Sequence, residues 1–388
     1  MNVDAIVAGA GLWGCTVARR LAEAGRKVLV LEKRAAVGGN CRCEIDSETG
    51  IEIHTYGSHI FHTHNRQVWD FVRRFTEFNG YQHKVLANYK GKVYHLPLGL
   101  TLINKFFNVE LKPGEVAEFL DDPCLGSVPS STSTSSLHLP PRRAAIFEAF
   151  FRGYTSKQWG KALEEVDPSI IKRVPVRDNY DTNYFNDYWQ GIPAEGYNKL
   201  FERLLDHPNV EVRCNTVFML SNIRTFEHSN IYYSGPIDAL FDYQFGALPW
   251  RSLRFERETL NCRDFQGTTV MNYTEAEVPY TRIHEFKHYH PEGRGQVEKR
   301  GGGGRRNIPS WGFDADKTII MREYSKTWGQ GDEPYYPINN LESAALLKRY
   351  QDEATQIPNL IVGGRLGGYK YYDMDQAMAA ALELPIDE

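Results

Sequence analysis

Three glycines, Gly9, Gly11 and Gly14, are the first residues whose spacing could do chemistry, in the pattern G-x-G-x-x-G. In such a pattern the first glycine permits a tight turn, the second lets the backbone approach a pyrophosphate, and the third allows close packing of a helix on a strand. An acid about 20 residues further on suits a ribose hydroxyl, and Glu32 takes that place. The four residues together predict a dinucleotide-binding site.

The flanking sequence supplies the elements that must position these residues. Residues 5–8 are apolar and predict a short buried strand, and residues 27–31 predict a second strand that ends at Glu32. A helix is expected between them, over residues 15–24, with Gly25 ending it. Its free N–H groups would face the phosphates. This strand–loop–helix–strand–acid order makes the glycine motif specific.

Four histidines, at positions 54, 59, 62 and 64, stand close together in the segment that follows. They could be ordinary loop and strand histidines or a metal site. No acid or cysteine supports them at a recurrent spacing, so we predict no metal. Cys41 and Cys43 are too close for a usual zinc pair, and the six cysteines are expected to be reduced structural thiols.

The string Y-G-S-H-I-F-H-T at residues 56–63, together with the glycine motif and E-K-R-x-x-x-G-G-N at residues 32–40, closely resembles the UDP-galactopyranose mutases. The glycine pair Gly38–Gly39, soon after the acid Glu32, resembles FAD-binding amine oxidases and mutases more than NAD dehydrogenases. Two further matches are G-Y-T-x-K-Q-W-G at residues 153–160 and P-Y-T-R at residues 279–282.

The resemblance implies an α/β fold in three parts. A discontinuous Rossmann-like FAD-binding domain would comprise residues 1–66, 205–240 and 356–388. A helical insertion domain that binds substrate and carries a mobile loop would comprise residues 100–175. A mainly antiparallel β-sheet domain would comprise residues 80–99, 176–204 and 241–345.

The reaction implied by the resemblance is an isomerisation that interconverts UDP-galactopyranose and UDP-galactofuranose. Reduced FAD would use N5 as the nucleophile on the anomeric carbon, two arginines would hold UDP, and there would be no net redox change. This agrees with the sequence, in which no side-chain nucleophile with a paired base stands out.

The resemblance also assigns site residues. In the catalytic group, Arg173 and Arg282 would hold the diphosphate, and His62 would lie near the flavin and tune it. The residues expected to bind substrate are His83, Phe150, Phe151, Tyr154, Thr155, Trp159, Tyr184, Tyr336 and Tyr371. The residues expected to bind the cofactor are Gly9, Gly11, Leu12, Trp13, Gly14, Glu32, Lys33, Arg34, Gly39, Asn40, His59, Ile60, Val217, Phe218, Gly364, Arg365, Tyr372, Asp373 and Met374.

Other interpretations of the same residues remain open. The aromatic residues from Phe147 to Trp159 would, on an isolated helix, more often form core than a ligand site. Arg282 could form a surface ion pair. The alternatives for the whole chain are an FAD-dependent amine oxidase or dehydrogenase, and a catalytically inactive UDP-sugar-binding flavoprotein.

Composition and net charge limit the kinds of partner that the protein is expected to bind. The 388 residues are 41% hydrophobic and 24% charged, with a net charge of -4, which gives no reason to expect nucleic acid or a membrane. No stretch of about 18 apolar residues indicates membrane insertion, and no signal peptide is recognisable. We therefore expect a cytoplasmic protein, and the resemblance implies a homodimer.

Two segments depart from the family pattern. Residues 121–143 contain a Ser/Thr-rich run, and residues 293–306 contain four consecutive glycines flanked by arginines. Such compositions do not build a packed core. They predict either loops or a departure from the true reading frame.

Overall fold

The structure is a computed structural model that describes residues 3–122, 139–161, 176–221, 229–290, 314 and 316–386. Arg173 and residues 293–306 lie outside these ranges, as does most of the segment 121–143. The expectations about them therefore stay predictions.

The glycine motif lies on a five-stranded parallel sheet. From one edge to the other, the strands of this sheet are β16 (Leu360–Val362), β10 (Asn230–Tyr233), β1 (Ala5–Ala8), β2 (Val28–Leu31) and β9 (Val210–Arg213), numbered in chain order. All residues of β1 and β2 are buried, as expected for parallel strands covered on both faces. The sheet draws its strands from three distant parts of the chain, as a discontinuous Rossmann-like fold requires.

Helix α1 (Leu12–Glu23) follows β1 through the glycine loop and begins three residues earlier than the sequence predicted. Its buried face includes Val17, Ala18 and Leu21. It packs against α7 (Tyr197–Leu205) and α11 (Met374–Leu382), so the C-terminal helix covers the dinucleotide-binding unit.

A second sheet has seven strands and is antiparallel at every pairing except β12 with β6. In sheet order the strands are β15 (Tyr336–Pro337), β11 (Trp250–Leu260), β14 (Thr318–Thr327), β13 (Arg282–Glu285), β12 (Val270–Tyr273), β6 (Val85–Tyr89) and β7 (Lys92–Leu96). Strands β11 and β14 pair from Arg251–Thr327 to Leu260–Thr318. This long antiparallel pair is the frame that carries the candidate site.

Two short ribbons join the sheets. Strand β3 (Cys43–Ile45) pairs with β4 (Glu52–His54), and β5 (Phe61–Thr63) pairs with β8 (Trp189–Gly191). Helix α2 (Arg66–Val72) follows β5. The histidine-rich segment is thereby held between β4 and β5.

A helical unit surrounds its own small core. It comprises α3 (Leu100–Phe107), α4 (Val116–Asp121), α5 (Pro141–Phe147), a π-helical turn (Glu148–Arg152) and α6 (Gly153–Trp159). Its buried residues include Leu102, Ile103, Leu120, Ile146 and Phe150. The remaining helices are α8 (Ile237–Leu240), α9 (Leu341–Thr355) and α10 (Gly364–Gly367). No helix among the described residues is both long and apolar enough to cross a membrane.

Replacing Leu204 of α7 by alanine should lower the free energy of unfolding by about 2–5 kcal/mol, because it leaves a cavity in the core between α7 and α1. Leu204 is 0% exposed. The measurement is the urea unfolding midpoint. Glu202→Ala, on the exposed side of the same helix, should change stability by no more than about 0.5 kcal/mol. Equal midpoints for both variants would contradict the packing described.

Candidate active site

The glycine loop has one face that the protein itself leaves open. A Cβ on Gly9, whose φ is 106°, would lie 2.2 Å from Ser234 Oγ, and one on Gly14 would lie 2.0 Å from the Gly9 carbonyl oxygen. A Cβ on Gly11 would meet, among the described residues, only Gly39 Cα at 3.8 Å. Gly9 and Gly14 are therefore required by packing, whereas Gly11 exposes backbone. This is the geometry that a pyrophosphate needs, and the N-terminus of α1, which has no side-chain cap, faces the same loop.

Glu32, the acid after β2, is held by backbone amides, one of which belongs to the glycine loop. Glu32 is 4% exposed and accepts hydrogen bonds from the amides of Ala10 (2.8 Å) and Arg34 (2.9 Å). Each carboxylate oxygen keeps further acceptor capacity for a ribose hydroxyl. Arg34 donates to Asn40 Oδ1 (3.0 Å) and to Glu333 (2.6 Å), but its buried Nε has no hydrogen-bond partner among the described residues. Lys33 lies 3.8 Å from Glu333.

The C-terminal glycines pack on Trp13. A Cβ on Gly363 would lie 2.3 Å from the indole, and Gly364 has a φ of 72°. The indole is buried there, as is the side chain of Leu12, so neither side chain faces an open site. Arg365 donates from Nη2 to the Tyr335 carbonyl (2.5 Å), and within the part of the chain that the structure describes its buried Nε has no hydrogen-bond partner.

The other residues expected at the cofactor differ in burial and in position. Val217 is exposed, whereas Phe218 is buried against Tyr233. Tyr372 is half-buried, and Asp373 and Met374 stand at the start of α11. Ile60 belongs to the main core. Burial lowers the pKa of His59 to about 4, so its neutral ring donates from Nδ1 to the Gly57 carbonyl (2.7 Å).

Three residues expected at the substrate line one cavity of about 310 Å³: Trp159, Tyr336 and Tyr371. The two tyrosine rings stack with centroids 5.9 Å apart. Burial raises the pKa of Tyr336 to about 12, so its hydroxyl keeps the proton and can donate to a phosphate oxygen. The Arg365 guanidinium lies 4.6 Å from the Tyr371 centroid, so the cofactor side and the cavity meet at this arginine.

Arg282 forms its ion pair with a buried partner, not on the surface. Its Nε lies 3.2 Å from Glu323 Oε1, at an angle unsuited to a hydrogen bond, and its Nη2 donates to the Tyr154 hydroxyl. The Glu323 side chain is 3% exposed and that of Arg282 is 27% exposed. Although burial raises the pKa of Glu323, the charge of Arg282 and the hydrogen bond from His284 lower it to about 2. The ionised carboxylate of Glu323 therefore holds the partly accessible guanidinium of Arg282.

Three further predicted residues gather around Phe185. The His62 ring stacks on Phe185 at 3.7 Å between centroids, and its Nδ1 lies 2.8 Å from Asp187 Oδ2. The His83 ring stacks 5.4 Å from the same phenylalanine and meets Tyr184 edge to face. His83 lies two residues before β6. Burial lowers its pKa to about 3, and Tyr184 is exposed.

The two phenylalanines expected to bind substrate differ in burial. Phe150 is 4% exposed, with the rings of Tyr94 and Phe106 at 5.1 and 5.3 Å, whereas Phe151 is half-buried. Both lie in the π-helical turn, and their contact with substrate stays a prediction. Thr155 lies half-buried on α6.

Sequence reasoning missed two cations that fix α6. Lys157 Nζ donates to four carbonyl oxygens, of Tyr273, Glu275, Val278 and Tyr280, at 2.7 to 3.0 Å. Arg251 Nε donates to the Gln158 carbonyl (2.9 Å) at the C-terminal end of the helix. Lys157 stands inside the G-Y-T-x-K-Q-W-G motif, which was the available signal.

The structure brings a cysteine and an acid beside one histidine, which the spacing did not indicate. Possible ligand atoms of Cys43, Glu52 and His54 lie within 4.8 Å of one another. Glu52 is paired with His290 at 3.0 Å. Burial raises the pKa of the Cys43 thiol and lowers that of His54, so both groups are neutral. The described cysteines, which are Cys15, Cys41, Cys43, Cys214 and Cys262, are free thiols.

Comparison with solved structures confirms the expected fold class. A crystal structure of reduced UDP-galactopyranose mutase superimposes with a TM-score of 0.68 at 15% identity, covering 98% of this chain and 94% of that chain. A model of the NAD(P)-binding Rossmann-like domain matches residues 7–75.

Comparison with known sequences identifies the family. A probable UDP-galactopyranose mutase of Klebsiella pneumoniae is 38% identical, covering 98% of this chain and 94% of that protein. A dTDP-fucopyranose mutase of Escherichia coli is 36% identical, covering 97% and 96%. A UDP-galactopyranose mutase of Mycoplasma pneumoniae is 33% identical, covering 98% and 94%. The family model for UDP-galactopyranose mutase matches residues 149–371, and the chain belongs to that family.

Proposed function

We propose that this protein interconverts the pyranose and furanose forms of UDP-galactose without net redox change. The observation that carries the proposal is the cavity of about 310 Å³ in which Trp159, Tyr336 and Tyr371 converge. A neutral tyrosine donor and two further aromatic surfaces suit a sugar joined to a diphosphate. Sequence similarity to the named mutases supports the same reaction.

FAD is the cofactor that the residues fit. Gly11 leaves backbone open toward a pyrophosphate, and Glu32 is oriented at the end of β2 for a ribose. Two arginines, Arg34 and Arg365, each keep a buried Nε to which no described residue offers a hydrogen-bond acceptor. Orphaned donors of this kind are costly unless a ligand completes them. Bound and reduced, FAD supplies the nucleophilic N5 that the isomerisation needs at the anomeric carbon.

The diphosphate is the group that Arg282 would bind. Because Glu323 and Tyr154 hold the guanidinium from two sides, its remaining donors are directed and partly accessible. Tyr184, Tyr336 and Tyr371 add hydroxyl donors, and Arg173 remains the expected second arginine. A fixed cation near the departing UDP oxygens stabilises the charge that develops as the anomeric bond breaks.

The uracil would stack on Phe150 of the π-helical turn and Tyr154 of α6. An aromatic face under a base contributes about 1–3 kcal/mol. His62 would lie near the flavin, with Asp187 holding its Nδ1 and Phe185 holding its ring. That arrangement leaves Nε2 for a hydrogen bond toward the cofactor.

Purified protein loaded with FAD should convert UDP-galactofuranose into UDP-galactopyranose only after reduction with dithionite. The measurement is separation of the two sugar nucleotides by chromatography, with dTDP-fucofuranose as a parallel substrate because a dTDP-fucopyranose mutase is 36% identical. Faster conversion of the dTDP sugar would reassign the substrate. Net oxidation with hydrogen peroxide would favour an oxidase, and binding without conversion would favour an inactive sugar-nucleotide-binding protein.

Arg282→Ala should lower kcat by about 10²–10³-fold in reduced enzyme, since it removes a preorganised donor for the leaving diphosphate. Steady-state turnover of UDP-galactofuranose is the measurement. The matched control is Arg254→Ala, which removes an exposed arginine paired with Glu256 on β11 and should leave kcat unchanged. Nearly full turnover in Arg282→Ala would exclude the assigned role.

A further inference from the structure

Five polar side chains form a continuous row from the loop between β4 and β5 to helix α6. Ser58 Oγ lies 2.5 Å from His284 Nδ1, and His284 Nε2 lies 3.0 Å from Glu323 Oε2. Glu323 pairs with Arg282, and Arg282 donates to Tyr154. Ser58 directly precedes His59, so the row links the segment expected at the flavin with the residue expected on the uracil.

The register of the second sheet creates this row. Arg282 of β13 stands directly opposite Glu323 of β14, and His284 lies two residues further along the same face of β13. Opposite residues of an antiparallel pair, and their diagonal neighbours, are close enough for long side chains to touch. The carboxylate of Glu323 therefore has an arginine on one side and a histidine on the other.

The protons in the row can be assigned. Glu323 is ionised and only accepts, so His284 Nε2 must carry a proton. Burial lowers the pKa of His284, which keeps the ring neutral and leaves Nδ1 as an acceptor. Ser58 then donates its hydroxyl proton to Nδ1. Glu323 thus selects the tautomer in which His284 donates from Nε2, and Ser58 completes it by donating to Nδ1.

We propose that His284 is a positioning residue for Arg282, acting through Glu323, with Ser58 holding the other side of the ring at Nδ1. His284 is 0% exposed and does not reach the cavity itself. Its hydrogen bond occupies Oε2 of Glu323 and leaves Oε1 for Arg282. Without that bond, Oε2 is free to turn toward the guanidinium, and a two-point pairing would take up the donors that the diphosphate needs. This inference rests on the proposed function, in which Arg282 binds the diphosphate.

The test is the dissociation constant for UDP, measured by calorimetry on the FAD-loaded protein, together with kcat and KM. His284→Leu should weaken UDP binding about 10-fold, the scale of a hydrogen bond to a charged group. His284→Gln should restore binding to near the wild-type value, because its amide Nε2 stands where the ring Nε2 stood. His284→Asn, whose shorter amide reaches only the Ser58 side, should resemble His284→Leu.

His288→Gln is the matched control, since His288 lies four residues further on and pairs with Glu285 and Asp264 outside the row. It should bind UDP like the wild type. In an Arg282→Ala background, His284→Leu should have no further effect on UDP binding, because non-additivity marks residues that act through one another. Flavin content and thermal unfolding show whether each variant is folded.

The possible outcomes distinguish a failure of the proposed function from a failure of the positioning role of His284. A wild-type protein that binds no UDP would overturn the proposed function and this inference with it. A wild-type protein that binds and converts UDP-sugar, while His284→Leu binds UDP normally, would overturn the positioning role alone. Additive losses in the double variant, or failure of His284→Gln to recover binding in a folded protein, would also overturn it.

Discussion

The buried charge of Glu323 is the constraint around which the candidate site is built. A carboxylate with a 3% exposed side chain is stable only if cations and donors surround it. Arg282, His284 and Thr281 supply them. Because Arg282 and His284 oppose or flank Glu323 on neighbouring strands, the pairing of β13 with β14 fixes both the charge and its direction. Strand register, a property of the backbone, therefore decides where a cation is presented to a ligand.

The same sheet also positions the helix that faces the cavity. A Cβ on Gly153 would lie 2.4 Å from the Thr274 carbonyl oxygen, so α6 rests directly on the loop after β12. Lys157 reaches over that loop to four carbonyl oxygens, and Arg251 from β11 binds the end of the helix. Cations at a helix C-terminus also oppose its dipole. Tyr154 and Trp159 are thereby tied to the strands that carry Arg282.

Sequence reasoning was most successful where function depends on local order. The glycine loop, β2 and Glu32 lie within one short stretch, and both strands predicted there are observed, at Ala5–Ala8 and Val28–Leu31. It failed for side-chain contacts that depend on the pairing of strands far apart in the chain. Nothing local indicates that Glu323 lies opposite Arg282, because 40 residues separate them in the chain and only the register joins them. Likewise, Phe150 packs against Tyr94, a contact between residues far apart in the chain that no local pattern indicates.

Arg365 shows how the two ends of the site depend on each other. Its Nη2 is held by the Tyr335 carbonyl, next to the edge strand β15, while its guanidinium lies over the rings of Tyr336 and Tyr371. It stands on α10, directly after the glycines that pack on Trp13 of the dinucleotide loop. A ligand that completes its Nε, which has no partner among the described residues, would restrain the same side chain that lies over two tyrosines of the cavity wall. Under the proposed function, the bound dinucleotide and the shape of the cavity of Trp159, Tyr336 and Tyr371 therefore depend on one arginine.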